Sequence, residues 1–130
     1  PPAAASRRIL VVDDDREEVE MLKLLLDTTG NAAQYAYDGL EAVKVAEEIR
    51  PDLILLDIGM PNLNGYETCR RIREQPWGKE MVIVALTGLG HDDDRLKSRE
   101  SGFDMHLVKP VDPELLLTVL AASAGVSRVS

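Results

Sequence analysis

The feature of this sequence that most constrains its fold is an alternation between short apolar runs and longer segments with helical spacing. Four runs, residues 9–12, 53–56, 81–86 and 107–108, contain only apolar residues, and residues 32–37 form a weaker, more polar run. Continuous apolar runs are typical of strands that are buried on both faces, as in parallel sheets covered by helices. The weaker run is expected to form an edge strand.

Between the runs lie five segments with helical spacing, most of them with a recognisable start or stop signal. We expect helices over residues 16–29, from Asp38 to before Pro51, from Asn64 to near Pro76, after Asp92 and after Asp112. An Asp or Asn with Glu three residues later is a capping-box pattern, and a proline suits the first helical position. A βα unit that repeats five times predicts an α/β fold, a doubly wound parallel sheet with helices on both faces.

The length of the chain and its two ends indicate the domain organisation. With 130 residues, the chain is long enough for one hydrophobic core and too short for two. Residues 1–6 and 123–130 are mostly small, polar or proline, which is typical of linkers. We therefore expect one domain over residues 7–122, derived from a longer polypeptide.

The net charge of −8 and the single cysteine limit the possible functions. A nucleic-acid surface needs clustered positive charge, so we expect no direct nucleic-acid binding. Arg70, Arg71 and Arg73 do cluster, but acidic residues share their helical segment, and a solvated helix face is the favoured interpretation. Cys69 has the spacing of a core residue and cannot form an internal disulfide, which favours the cytoplasm. No apolar run approaches the roughly 18 residues of a membrane span, so no membrane contact is expected.

Polar residues follow the central strands at the points where these strands end. Asp13 and Asp14 follow the first run, Asp57 the run at 53–56, Thr87 the run at 81–86, and Lys109 the last run. In a doubly wound sheet the carboxyl ends of the strands share one edge, where such folds bind ligands. We therefore expect carboxylates, a hydroxyl and an ammonium group to converge on one small site.

These residue types together suit one kind of chemistry. Crowded carboxylates repel one another, and a hard divalent cation such as Mg²⁺ relieves that repulsion. A carboxylate beside a bound cation can attack phosphorus and form an acyl phosphate. Phosphoryl transfer mainly requires positioning and neutralisation of the phosphoryl oxygens, which a metal, a lysine and a threonine can supply. The residues therefore predict a phosphoryl-accepting site.

Four motifs carry a resemblance to a known family. They are Ile9-Leu-Val-Val-Asp-Asp14, Leu55-Leu-Asp-Ile-Gly-Met-Pro-Asn-Leu-Asn-Gly65, Ala85-Leu-Thr-Gly88 and Leu107-Val-Lys-Pro110. In this order, each at a strand end, they resemble the motif set of two-component response-regulator receiver domains. The resemblance implies the flavodoxin-like (βα)5 receiver fold, with five parallel strands in the order 2-1-3-4-5.

By matching position, the resemblance implies a role for each acidic residue. Asp57 resembles the phosphoacceptor, Asp14 the direct metal ligand, and Asp13 the ligand that usually acts through water. Gly59 resembles the position whose backbone carbonyl completes the metal shell. The implied metal is Mg²⁺, for which Mn²⁺ can substitute.

The resemblance also implies a set of switch residues. Thr87 resembles the hydroxyl residue that moves to meet the phosphoryl group, and Lys109 the cation that contacts it. The family's cis peptide would be Lys109-Pro110. His106 occupies a position often held by tyrosine or phenylalanine, whose rotation reports phosphorylation in some members. For His106 itself, a partly exposed edge-strand residue is favoured over a pH sensor.

Two departures from the family pattern and one helix surface bear on regulation. Asn64 replaces a common aspartate and should cap its helix as well. Gly59 and Leu89 stand where polar side chains influence hydrolysis, and neither can orient a water molecule through its side chain. Met21 lies outside the apolar face of the first helix. The alternatives are ordinary packing of this helix against the fifth helix, or a surface on which Met21 helps to dock a histidine-containing phosphodonor.

Three functions are compatible with parts of this set of residues. An aspartyl-phosphate phosphohydrolase of the haloacid-dehalogenase type needs an acid two residues after the nucleophile, where this chain has Gly59. A receiver that has lost phosphorylation is disfavoured because every expected polar residue is present. The favoured function is a phosphorelay switch, not an enzyme beyond self-catalysed phosphotransfer and autodephosphorylation. We expect its partner to be a histidine kinase or a histidine phosphotransfer domain, and its oligomeric state to be a monomer or weak dimer. We expect the full protein to be a hybrid sensor histidine kinase.

Overall fold

The computed structural model describes residues 7–60, 63–88 and 95–124 and contains a single five-stranded sheet within these ranges. The strands are β1 (Arg8–Val12), β2 (Ala32–Ala36), β3 (Leu53–Asp57), β4 (Val82–Thr87) and β5 (Met105–Val108). All neighbouring pairs are parallel, and the order is β2-β1-β3-β4-β5. The predicted doubly wound sheet and its strand order are therefore confirmed.

Five α-helices connect and cover the strands. They are α1 (Arg16–Thr28), α2 (Gly39–Ile49), α3 (Gly65–Glu74), α4 (Arg95–Ser101) and α5 (Pro113–Ala124), with a short 3₁₀ turn at Pro76–Gly78. Four helices begin within a residue or two of their predicted positions. The expected start of the fourth helix, after Asp92, lies outside the described residues. Within the described ranges, none of the helices has the length and apolar character needed to cross a membrane.

The predicted capping residues explain why the helices begin where they do. The carboxylate of Asp15 accepts hydrogen bonds from the backbone N–H groups of Glu17 and Glu18 at 3.0 and 3.4 Å. Asp38 caps α2 through the N–H of Glu41 at 2.8 Å. Asn64 and Asp112 cap α3 and α5 in the same way. Such a cap satisfies backbone donors that the helix cannot and contributes about 1 kcal/mol.

The hydrophobic core lies in two layers, one on each face of the sheet. One layer joins α1 and α5 to the sheet and the other joins α2 and α3 to it. Within the first layer, Val19, Leu22 and Leu26 of α1 are buried together with Leu116 and Leu120 of α5. The buried face of α1 and α5 thus share one core layer, whereas Met21 and Leu24 of α1 are exposed. Cys69 is fully buried in the second layer, as predicted.

The arginine cluster of α3 corrects one interpretation made from the sequence. Arg70 and Arg71 are exposed, as expected for a solvated helix face. Arg73 instead turns inward, with a side chain that is 13% exposed and pairs with Asp104 at 2.8 Å. Helical spacing within α3 cannot reveal this, because the partners of Arg73 come from segments up to 31 residues away in the chain.

Candidate functional site

Three carboxylates meet at the carboxyl edge of the sheet. Strands β1 and β3 are neighbours, and Val12 is paired with Leu56. The residues that follow this pair, Asp13 and Asp57, are therefore placed side by side. Together with Asp14 they each offer an oxygen, and these oxygens lie within 4.8 Å of one another. The fold thus brings Asp13, Asp14 and Asp57 together, as the sequence predicts.

Lys109 brings a positive charge into this acidic cluster. Its Nζ lies 2.9 Å from Oδ2 of Asp13 and 3.4 Å from Oδ2 of Asp57. Its own backbone N–H donates to the carbonyl of Thr87 at 2.7 Å, which holds the end of β5 against the end of β4. The ammonium group therefore bridges two carboxylates that would otherwise repel each other.

Backbone N–H groups fix the orientation of the two inner carboxylates. Asp13 is fully buried, and its Oδ1 accepts a hydrogen bond from the N–H of Asp15 at 3.0 Å. Asp57 is 5% exposed, and its Oδ1 accepts a hydrogen bond from the N–H of Gly59 at 3.0 Å. Asp14 is exposed and lies at the open side of the cluster. The site therefore has a rigid inner part and one carboxylate that faces solvent.

The pKa values of two groups follow from this arrangement. Burial raises the pKa of Asp13, and the negative charge of Asp57 adds to that effect, while the Asp15 N–H and Lys109 oppose it. Burial lowers the pKa of Lys109, but the hydrogen bond and charge of Asp13 and the charge of Asp57 outweigh it, so the net pKa lies above its usual value. Lys109 is therefore a charged ammonium group at neutral pH.

The donor set fits a hard divalent cation. Three carboxyl groups and one ammonium group lie close together in a partly buried site, so acidic groups outnumber basic ones. Carboxylate oxygens are the ligands that Mg²⁺ prefers, and Mg²⁺ keeps several water ligands besides one or two carboxylates. The exposed position of Asp14 leaves room for those waters. Asp13, Asp14 and Asp57 are thus the residues that can hold such an ion.

Thr87 and Gly59 lie at the same edge but contribute differently. Thr87 ends β4, next to β3, and is 2% exposed. Its hydroxyl donates to the carbonyl of Leu107 at 3.5 Å, a distance at the limit of a hydrogen bond. A group held so weakly can change partner at small cost. Gly59 is exposed and approaches Asp57 through its backbone N–H.

The remaining predicted residues lie away from the carboxylates. His106 is on the edge strand β5, partly exposed, with its ring 6.4 Å from that of Phe103. Met21 is on α1 with 48% exposure. The peptide bond between Lys109 and Pro110 is cis, as the resemblance implies.

Sequence reasoning did not single out Gly65 as a residue of the site, although its contacts position Asp57. A Cβ atom on Gly65 would lie 2.5 Å from the carbonyl oxygen of Asp57 and 2.5 Å from Cα of Ile58. The first turn of α3 therefore rests directly on the backbone of the candidate nucleophile. The available signal was an Asn-Gly pair at a helix start, which also occurs without such a contact.

Substitution of Gly65 by alanine should destabilise the domain. Because the clash is with backbone, the loop after β3 has to shift, and we expect a loss of about 2 kcal/mol in the free energy of unfolding. Urea denaturation measures this loss. The control is Gly59→Ala in the same loop, where, among the described residues, a Cβ would meet the Asp57 carboxylate at 3.7 Å, an ordinary contact distance. Equal stability of the two variants would contradict the close approach at Gly65.

Comparison with known proteins identifies the class of protein. The family model for the response regulator receiver domain matches residues 9–121. The receiver domain of a Pseudomonas aeruginosa sensor histidine kinase, solved with magnesium in its active-site cleft, superposes with a TM-score of 0.86 at 33% identity. The match covers 94% of this chain and 100% of that one. The chain therefore belongs to the response regulator receiver domain family and is a receiver domain of two-component signalling.

Curated relatives match this chain over different shares of their own length. An uncharacterized 14.6 kDa protein of Leptolyngbya boryana is 36% identical over 116 residues, which are 89% of this chain and 88% of that protein. Response regulator MprA of Mycobacterium ulcerans is 39% identical over 117 residues, which are 90% of this chain. The chain spans only 50% of the length of MprA.

Proposed function

We propose that Asp57 accepts a phosphoryl group and that this modification switches the domain between two conformations. The observation that carries the proposal is the meeting of Asp57 with Asp13, Asp14 and Lys109 at one edge of the sheet. A carboxylate oxygen of Asp57 forms the new P–O bond as the P–N bond to a donor phosphohistidine breaks. The imidazole of the donor leaves with the electron pair of that bond.

The residues of this chain supply most of the stabilisation that the transfer needs. Lys109 lies between Asp13 and Asp57 and can turn its charge towards the phosphoryl oxygens. Asp13 and Asp14, with the carbonyl of Gly59, would hold Mg²⁺, and Mn²⁺ is a possible substitute. Such an ion would supply positive charge that neutralises phosphoryl oxygens and lowers the repulsion between the incoming group and the carboxylates. No separate general acid is required.

The switch follows from the new charge at Asp57. Three phosphoryl oxygens attract hydroxyl donors, and the hydrogen bond from the Thr87 hydroxyl to the Leu107 carbonyl is long and therefore weak. Movement of Thr87 and Lys109 towards Asp57 alters the ends of β4 and β5 and the surface of α4 between them. His106, on β5, is the candidate residue that reports this change. The phosphoryl group thus changes the relative populations of two conformations of the domain, as a bound ligand would.

The wider context of the domain is part of this proposal. The sequence predicts a receiver core over residues 7–122, and α5 extends this core to Ala124. We infer that this core is the receiver of a hybrid sensor histidine kinase. The similarity to a sensor-kinase receiver supports this context. The domain would work in the cytoplasm as an acceptor, with no turnover beyond its own phosphorylation and dephosphorylation. Its partner would be a histidine kinase or phosphotransfer domain.

Exposed apolar residues on α1 support a donor-docking surface around Met21. Met21 and Leu24 are 48% and 66% exposed and lie outside the buried face of α1, which consists of Val19, Leu22 and Leu26. Substitution of Met21 by glutamate should slow transfer from a histidine phosphodonor by about tenfold, because a charge would be buried at the contact. Phosphorylation by acetyl phosphate, which needs no docking surface, should stay at the wild-type rate.

The control for Met21 is an equally exposed apolar residue on the other face of the sheet. Leu40 of α2 is 61% exposed, and Leu40→Glu should leave both reactions unchanged. Rapid-quench assays with a phosphorylated donor domain give the two rates. An unchanged rate for Met21→Glu would remove α1 from the docking surface.

The modification itself provides the direct test of the proposed function. Incubation with acetyl phosphate and Mg²⁺, followed by mass spectrometry of proteolytic peptides, should find one alkali-labile, hydroxylamine-labile phosphoryl group on the peptide that contains Asp57. The absence of any such group, with either acetyl phosphate or a phosphohistidine donor, would refute the proposal.

A further inference from the structure

A buried polar cluster lies at the sheet edge opposite to the acidic site, with Arg73 of α3 at its centre. The guanidinium group donates to the backbone carbonyls of Gly78, Met81 and Gly102 at 2.9, 2.6 and 3.0 Å. It also pairs with the carboxylate of Asp104 at 2.8 Å, and both side chains are 13% exposed. A single side chain thus joins α3 to the segment before β4 and to the turn before β5.

Asp104 extends this cluster into the sheet. The oxygen that pairs with Arg73 also accepts a hydrogen bond from the N–H of Ile83 at 2.9 Å. The N–H of Asp104 in turn donates to the carbonyl of Ile83 at 2.8 Å. The side chain and backbone of Asp104 therefore fix the relative register of β4 and β5 at their amino-terminal ends.

Gly102 shows how closely the turn before β5 packs on Arg73. Its φ of +109° lies in the region that favours glycine, and a Cβ atom would lie 2.7 Å from Cγ of Arg73. The turn can therefore neither shift towards Arg73 nor accept a side chain without displacing it. Charge-assisted hydrogen bonds and close packing act on the same few residues.

The two ends of β4 and β5 are thus held very differently. At the amino ends, charged groups with short hydrogen bonds join three segments of the chain. At the carboxyl ends, the Thr87 hydroxyl has one long hydrogen bond, and Lys109 bridges carboxylates whose charge a phosphoryl group would change. A rearrangement driven from Asp57 meets little resistance at one end and strong resistance at the other.

We propose that Arg73 and Asp104 form a fixed pivot that confines the phosphorylation-driven rearrangement to the carboxyl ends of β4 and β5 and to α4. The proposal rests on the proposed function, since it concerns how far the effect of a phosphoryl group at Asp57 spreads. Arg73 acts here as a positioning residue, because it contacts none of the reacting groups and works through Asp104 and the backbone.

Amide hydrogen exchange with and without beryllofluoride and Mg²⁺, an analogue of the phosphoryl group with its metal, tests the pivot in the intact domain. In the wild type, exchange at Thr87 and residues 95–101 should change by about tenfold, while exchange at Ile83 and Asp104 should change by less than about twofold. Equal changes at both ends of the strands would overturn the proposal without any variant.

Arg73→Met removes the charge and the hydrogen bonds but keeps an apolar stem of similar length. In this variant the beryllofluoride-induced change should spread to Ile83 and Asp104 and reach about fivefold or more. Asp104→Asn, which keeps an acceptor but loses the charge, should spread the change in the same direction by a smaller factor. Arg71→Met, on the exposed side of the same helix, is the matched control and should keep the wild-type pattern.

The spread of the response separates a pivot from a merely stabilising ion pair. If the ion pair only stabilises the fold, Arg73→Met should raise amide exchange equally with and without beryllofluoride. The beryllofluoride-induced change would then stay confined to the carboxyl ends of β4 and β5, and this result would overturn the proposal. If Arg73→Met does not fold, the amide-exchange profiles of Asp104→Asn and of the wild type test the proposal. A wild-type domain that binds beryllofluoride and changes equally at both ends of the strands would refute the pivot alone. No change at either end, or failure to bind beryllofluoride at all, would refute the proposed function as well.

Discussion

Replacing Asp57 with asparagine should reduce phosphorylation by acetyl phosphate to below about 1% of the wild-type level. An amide oxygen carries no full negative charge and forms no stable acyl phosphate, so the nucleophile is lost while the shape of the side chain is kept. Asparagine can also still accept the hydrogen bond from Gly59 that orients the residue at 3.0 Å. Phosphate-affinity electrophoresis and peptide mass spectrometry measure the residual modification.

Asp38→Asn provides the matched control for this substitution. Asp38 follows β2, which β1 separates from the strand of Asp57, and it serves as the cap of α2. Asparagine caps a helix about as well as aspartate does, so this variant should be phosphorylated at the wild-type rate. If the Asp57→Asn variant is phosphorylated at Asp13 or Asp14 at the wild-type level, the site accepts phosphoryl groups but Asp57 is not the acceptor.

The fold could be predicted from the sequence because its signals are local. The apolar runs and capping residues, such as Asp38 with Glu41, place the strands and helices to within a residue or two. In a parallel sheet, the carboxyl ends of the strands then meet at one edge without further information. The convergence of Asp13, Asp57 and Lys109 follows from that topology, and the structure places them together.

Other features depend on contacts that no local pattern encodes. The sequence predicts that Lys109 approaches the phosphoryl site, but not that its shorter contact is with Asp13, which depends on how β5 and β1 lie in space. The inward turn of Arg73 depends on carbonyl groups in distant segments. Gly65 resembles an ordinary helix start until the backbone of Asp57 is seen against it. In each case the missing information is tertiary.

Substitution of Asp14 by asparagine should weaken Mg²⁺ binding by at least about tenfold. Of the three clustered carboxylates, Asp14 is the one that faces solvent, so it can reach a hydrated ion without breaking an internal ion pair. Asparagine keeps an oxygen ligand but removes one of the charges that bind the cation. Titration with Mg²⁺, followed by calorimetry or by the amide resonance of Asp57, gives the affinity. Phosphorylation at low Mg²⁺ should fall in parallel, and a chelator should stop it in the wild type.

Asp15→Asn separates direct ligation of the metal from the general effect of removing a negative charge. Asp15 follows Asp14 directly, but its carboxylate caps α1 through the N–H groups of Glu17 and Glu18. Both substitutions remove one charge from the same acidic triplet, and asparagine preserves the cap. We expect the Asp15 variant to keep its Mg²⁺ affinity to within about twofold, because exposed charges that do not touch the ion are screened by salt. Equal losses in the two variants would mean that overall charge, and not ligation by Asp14, holds the cation.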